Sequence, residues 1–285
     1  MVINMEEIEK SKYREGVLKK IESLEKDGIF DVDCENDPPF TPLKEKEVDF
    51  LRKKISSKFK SKIADKVSFS YFNRLIKKGV IVIDGYEGIE NLKNMNSGAI
   101  VTANHFNPFD SIPIHKVFKK YQRKRQLYKI IREGNYSFPG LFGFFMRNCY
   151  SLPLSENFKV MKECMHAVDV LLQEGKFILV YAEQSLWWNY RKPKPLKDGA
   201  FRFACKNNVP VLPTFTTLRD TDKIDSEGYP IQAYTLHILE PIYPDQNLSM
   251  KENIQMMKKK NEDAWKEVYE RVYGIPLTYL SKEKE

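Results

Sequence analysis

With 285 residues, 42% of them hydrophobic, the chain can bury a substantial core, and its length suits one large domain or one domain with a helical appendage. Its four cysteines, Cys34, Cys149, Cys164 and Cys205, lie far apart without any C-x-x-C pair; they suggest neither a disulfide framework nor a zinc site and fit a reducing cytosol. No run approaches the roughly eighteen apolar residues of a spanning helix, the first residues lack the basic and apolar regions of a signal peptide, and the net charge of +8 is unevenly distributed.

Residues 4–27 carry a helical pattern with Ile8, Val17, Leu18, Ile21 and Leu24 as apolar positions and Gly28 as the stop. Asp37 to Pro39 reads as a connector. Thr41-Pro42 looks like an N-cap with proline in the first helical position, opening a helix whose Val48, Leu51, Ile55, Phe59 and Ile63 line one face. That face is expected to pack on the main domain. Contact with a membrane interface is the alternative, helped by Lys53, Lys54, Lys58, Lys60 and Lys62. Another helix runs to Lys78, so residues 1–78 are read as an N-terminal helical extension and residues 79–285 as the main domain.

In that domain strands are expected at 79–84, 99–103, 127–131, 176–181, 209–216 and 234–239, interleaved with helices at 89–95, 110–120, 138–146, 156–173, 199–206 and 250–272. The alternation predicts an α/β fold, a single mostly parallel sheet flanked by helices. Lys116, Lys119, Lys120, Arg123, Lys124, Arg125, Lys129 and Arg132 form a run with no acidic residue, which should attract an anionic membrane leaflet, an acidic carrier protein or a nucleic acid. Nucleic acid is set aside because no recognisable binding module accompanies the charge.

The stretch 98–110 reads as a short buried strand running into Asn104 and His105, with Asp110 five positions later. Histidine can take a proton from an alcohol near neutral pH when a carboxylate orients its other nitrogen, and Asp110 is placed to do so. The plainer alternative makes Asp110 an N-cap and His105 a satisfied loop residue. Ligands of parallel α/β sheets gather outside the carboxyl ends of the strands. Glu183 follows the apolar strand at 176–181, so it and His105 can face one cleft; its carboxylate can accept bonds from backbone N–H groups or from a substrate hydroxyl. Neither the Gly-x-Ser-x-Gly of a serine hydrolase nor a phosphate-cradling Gly-rich loop occurs.

The order Asn104-His105-x4-Asp110, then residues 140–154, then Tyr181-Ala182-Glu183-Gln184-Ser185, then Gly199 with Ala204, then Val209-Pro210-Val211-Leu212-Pro213, resembles the glycerolipid acyltransferase family. That family includes the glycerol-3-phosphate and lysophosphatidic acid acyltransferases. The lead-in Val82-Ile83-Asp84-Gly85 with Glu90-Asn91-Leu92 is also similar to it. The resemblance implies a single acyltransferase domain in which His105 deprotonates an acceptor hydroxyl, Asp110 orients His105, and the alcohol attacks an acyl thioester without an acyl-enzyme. It implies acyl-CoA or acyl carrier protein as co-substrate, with no further cofactor and no metal, and gives Glu183 a part in binding the acceptor, beside Asn104 and Ser185.

Two departures stand out. Where the family usually has Phe-Pro-Glu-Gly-Thr-Arg-Ser, this chain has Tyr181 first and Leu186 in the place of the arginine, and the arginine of the second block falls near Ser155 or Glu156. Arg147 and Arg191, with Lys192 and Lys194, are candidate replacements, since arginine matches phosphate bidentately. Otherwise the acceptor lacks phosphate and Trp187, Trp188 and Tyr190 offer a stacking surface to a sugar. The expectation is acyl transfer to a lysophospholipid such as 1-acyl-glycerol-3-phosphate. A neutral sugar or glycolipid acceptor is the rival, as is a non-catalytic lipid-binding protein of the same fold. Peripheral attachment to the inner face of an anionic membrane is expected from the basic run and the stripe at 48–63.

Overall fold

The computed structural model describes residues 5–35 and 39–281, with side chains from residue 12 onward. Ile8, and Asp37 and Pro38 of the expected connector, lie outside the described side chains and residues. Among the described residues seven strands form one sheet: β1 (Val82–Glu87), β2 (Ala99–Thr102), β3 (Leu127–Arg132), β4 (Ser151–Leu154), β5 (Phe177–Val180), β6 (Val211–Ile224) and β7 (Pro230–Ile238), in the order β1-β7-β6-β2-β5-β3-β4. Among these strands the β6/β7 pair alone is antiparallel. The sheet is therefore mostly parallel, as the alternation predicts, with β7 and β1 reversed against the other five.

The centre of the sheet follows from sequence. Ala-Ile-Val-Thr in β2 and Phe-Ile-Leu-Val in β5 are buried at every position, as expected where helices cover both faces of parallel strands. One face packs on α6 (Phe158–Gln173), α7 (Gly199–Asn207) and α8 (Met250–Tyr273) through Val160, Cys164, Val168, Phe201, Met257 and Trp265. The other packs on α3 (Ile89–Lys93) and α4 (Ser111–Tyr121) through Leu92, Ile114, Val117 and Phe118. Ser249 and Glu252 close a capping box at the start of α8. The sequence reading passed over β4, four residues long and containing Pro153. It is an edge strand, where a missing backbone N–H is tolerated.

The N-terminal extension departs from expectation. α1 (Met5–Lys26) is in place, but α2 (Ile55–Lys77) does not begin near Thr41. The Asp49 carboxylate accepts from the Lys53 and Lys54 amides, at 3.0 and 2.9 Å, and the helix starts just after. Leu43, Val48 and Phe50 instead lie in irregular chain buried in the α6–α8 core. The expected apolar face is thereby cut in two: Val48 is buried, whereas Ile55 and Phe59 are 86% and 65% exposed. Ile63, Val67 and Tyr71 prolong that uncovered stripe along α2. No helix among the described residues is long and apolar enough to cross a membrane.

Candidate active site

β2 ends at the carboxyl edge of the sheet, and the Asn104 side chain ties that end to β6. Its Oδ1 accepts from the Thr216 amide at 2.8 Å and its Nδ2 donates to the Thr216 carbonyl at 3.0 Å. Asn104 thus fixes the end of β2 against the middle of β6 rather than reaching outward. Asn107 Oδ1 accepts from the Phe109 amide at 2.8 Å, an Asx-turn that folds the chain back. The turn brings Asp110 Oδ2 to 2.5 Å from His105 Nδ1, and the Phe106 amide donates to the same oxygen at 3.2 Å. Asp110 does sit at the N-cap position of α4, but its side chain makes no cap bond. Its carboxylate is 3% exposed and the imidazole 25%. A buried acceptor thus orients a reachable base.

Two further groups complete this corner. The Tyr181 ring stacks on the His105 ring, centroids 3.8 Å apart and planes at 15°, and the Tyr181 hydroxyl donates to Asp110 Oδ1. Burial, then the neighbouring Asp110, hold the Tyr181 phenol well above its ordinary value, so it stays a donor. Glu183 is buried; its Oε2 accepts from the His105 amide at 3.0 Å and its Oε1 from the Lys194 amide at 2.9 Å. The Lys194 ammonium lies 3.4 Å from Oε2 and donates to the Ser185 carbonyl and hydroxyl, both at 2.7 Å. Burial pushes the Glu183 carboxyl up and the Lys194 amine down, each opposed by its partner.

Residues 85–217 match the family model described as Acyltransferase, which spans the dyad, the buried bracket and both strands that carry them. The chain carries an acyltransferase domain. The resemblance drawn from the ordered motifs stands. The fold of this acyltransferase is similar to the crystal structure of the 1-acyl-sn-glycerophosphate (LPA) acyltransferase, PlsC, from Thermotoga maritima. The TM-score is 0.52 and the identity 20%, over 78% of this chain and 89% of that one. No curated protein matches the chain.

Most residues expected to contact substrate are committed to the scaffold of the acyltransferase. Glu183 and Ser185 are buried and bracket the loop: the Ser185 hydroxyl donates to the Phe30 carbonyl at 2.6 Å. Trp187 is fully buried with Val17, Ile21 and Cys34, and its indole N–H donates to the Val32 carbonyl at 2.8 Å. Trp188 is held between the Arg14 guanidinium, 4.3 Å from its ring, and Tyr229. The open aromatic surface expected for a sugar is therefore a packed junction with the N-terminal extension. Arg147 donates to the carbonyls of Tyr136 and Phe138, at 2.6 and 3.0 Å; Arg191 pairs with Asp220 at 2.6 Å, and Lys192 with Glu25 at 2.6 Å. None of these cations is placed against His105 by its bonds. Their positions were legible, but their partners come from elsewhere in the chain.

The basic run is also divided. Lys116 donates to Asn73, Lys119 pairs with Asp65, Arg125 holds the carbonyls of Met95, Asn96 and Ser97, and Arg132 pairs with Asp33. Lys120, Arg123 and Lys124 remain exposed. Lys129 points inward, 3.5 Å from the Ser111 hydroxyl, and its burial lowers the amine. It lines a cavity of 1010 Å³ between α2, α4, β3 and α5 (Gly140–Asn148), walled by Phe69, Phe72, Leu127, Phe142, Phe145 and Met146. Pro108, which lies between the two dyad residues in sequence, and Ser111, which follows Asp110, form part of the same wall. His115, also in that wall, is pushed down to about 3 by burial and then by Lys129, so it is neutral. The sequence reading missed Tyr181, Lys129 and the cavity. The tyrosine in place of the family's usual phenylalanine was the one visible signal.

Proposed function

We propose that this acyltransferase moves an acyl chain from an acyl thioester, acyl-CoA or acyl carrier protein, to a lysophospholipid such as 1-acyl-glycerol-3-phosphate. The observation that carries the reading is the reachable His105 imidazole oriented by buried Asp110 at the carboxyl edge of the sheet. His105 Nε2 takes the acceptor's hydroxyl proton as the oxygen attacks the thioester carbonyl. The new C–O bond forms, the C–S bond breaks, and the imidazolium returns its proton to the departing thiolate, with Asp110 stabilising the charged ring in between. Incubating the purified chain with a labelled acyl thioester and a panel of lysolipids and glycolipids tests the reading. Transfer to lysophosphatidic acid supports it, and no transfer to any acceptor sinks it.

A second acceptor class has an observation in its favour. Arg147, Arg191, Lys192 and Lys194 all have protein partners, as expected of a site relaxed toward a neutral glycolipid. Faster transfer to a neutral glycolipid than to lysophosphatidic acid in the same panel would select it.

The apolar cavity is the proposed site of the acyl chain, its volume at the top of the roughly 300–1,000 Å³ typical of small-molecule pockets. Met146→Trp should shorten it. A misfit of one methylene is worth about 10–200-fold in discrimination, so kcat/KM for long-chain thioesters should fall at least about tenfold with short-chain ones nearly unchanged. Equal losses at all lengths would place the chain elsewhere.

The proposed membrane contact is the uncovered α2 stripe with Lys58, Lys60, Lys62 and Lys66 beside it. On this reading the protein works on the cytoplasmic face of an anionic bilayer. Binding to anionic vesicles should fall as salt rises, since charge is screened within about 10 Å at 0.1 M. The Ile55→Ser, Phe59→Ser pair should weaken it further, by roughly 1.5–3 kcal/mol for each side chain that inserts fully. Binding by the double variant equal to that of the native chain would remove α2 from the contact.

A further inference from the structure

We propose that Tyr181 is a positioning residue for the His105–Asp110 pair, holding the imidazole by its ring face and the carboxylate by its hydroxyl. The inference rests on the proposed function for the role of His105, and on the geometry alone for the rest.

β2 and β5 are adjacent and parallel, with Thr102 opposite Val180, so the residues that follow the two strands leave the sheet at the same edge. Tyr181 is the first residue past β5, and this placement lays its ring on His105 at 3.8 Å and 15°. A flat neighbour at that distance blocks rotation of the imidazole out of its plane. Nδ1 therefore stays directed at Asp110.

The hydroxyl performs a separate task. Asp110 is buried, and its Oδ2 already receives His105 and the Phe106 amide. Its Oδ1 receives the Tyr181 hydroxyl. Without that donor a buried carboxylate oxygen would be left unsatisfied, a state folded proteins rarely tolerate. With both oxygens occupied the carboxylate cannot swing, and part of its charge is drawn away from His105. A phenylalanine here would supply the ring without the anchor.

The charged and titratable groups around the pair come from every element packed on it. The α4 turn gives Asp110, and β3 gives Lys129, which acts on Asp110 electrostatically and reaches Ser111. The loop after β5 gives Tyr181 and Glu183, the latter on the His105 amide with Lys194 behind it. β7 gives Tyr234, whose phenol burial pushes up to about 12 and which accepts from Asn107. Of these, only Tyr181 touches both members of the pair.

The test is an NMR titration of the His105 imidazole in the full chain, native and Tyr181→Phe, its resonance assigned by loss in His105→Ala, alongside pH–rate profiles. Tyr181→Phe keeps the ring and removes the donor. Asp110 then becomes a stronger acceptor for His105 Nδ1–H and favours the imidazolium. The midpoint, and the acid limb of kcat/KM, should move up by about 0.5–1 pH unit, with kcat near neutrality reduced roughly three- to tenfold and KM unchanged. Tyr181→Leu, which loses the ring as well, should lower kcat further. A Phe variant whose His105 titrates where the native residue does, with a superimposable pH–rate profile, overturns the proposal. A shifted titration in a chain that acylates nothing leaves the positioning role standing and removes the proposed function instead.

Discussion

Replacing His105 by alanine should reduce acyl transfer by a factor on the order of 10² to 10⁴ and leave the fold intact. The imidazole is one quarter accessible, so its removal opens no enclosed core cavity. The loop is held by other bonds: Glu183 takes the residue 105 amide, and the Trp187 amide donates to the residue 105 carbonyl at 3.2 Å. Asp110 retains the Tyr181 hydroxyl and the Phe106 amide. Turnover should therefore collapse while the melting temperature changes little. A folded variant with near-native turnover on its true acceptor would show that the base is another group. Asp110→Asn should also be impaired, for a reason the geometry supplies. The carboxylate accepts from three donors, and an amide offers one acceptor oxygen and one donor nitrogen. One of His105 Nδ1–H and the Tyr181 hydroxyl must then face an N–H₂ group.

The largest effect on stability is expected from Lys194→Met. It leaves the Glu183 carboxylate buried without its cation, a change that typically costs about 3–5 kcal/mol. At about 2–4 °C per kcal/mol for a chain of this order, thermal unfolding should come several degrees earlier. The His105 amide would lose a firmly held acceptor at the same time, so activity should fall with stability. pH separates this cause from lost packing. Burial already raises the Glu183 carboxyl above its ordinary 4.5, and removing Lys194, which opposes the rise, raises it further. A carboxyl whose folded value is raised binds more protons folded than unfolded, so stability is gained as pH falls through the folded value toward 4.5. The stability gap between native and Lys194→Met chains should narrow on acidification. A gap that is constant from neutral pH down to the ordinary carboxyl range would mean that the lysine stem matters and its charge does not. Adding Glu183→Gln to Lys194→Met should restore part of the loss at neutral pH.

Local sequence determined the pieces of the catalytic corner and the order in which the chain presents them. The fully apolar β2 and β5 are recognisable because strands covered on both faces need no alternation. His105 and Asp110 are recognisable because a spacing of five positions with an Asx-turn at Asn107 is short enough to bring the two side chains together. The same locality explains the good placement of α6 and α8, whose periodic faces and caps lie within each segment. Where partners are distant, sequence gave positions without meanings. Tyr181 reads as a strand end until the β2–β5 register puts it on His105, and Glu183 reads as a substrate contact until Lys194 and the His105 amide claim it. Trp187 and Trp188 look like an open surface until residues 14–34 cover them. The stripe at 48–63 looks like one helix face until Asp49 caps the amides ahead of Ile55 and turns its two halves in different directions, one into the core and one to the surface. Periodicity and motif spacing report on contacts within a few turns of chain. Whether an exposed-looking side chain is bound, buried or free depends on contacts beyond that range, here from 11 to 155 residues away, which only the folded sheet decides.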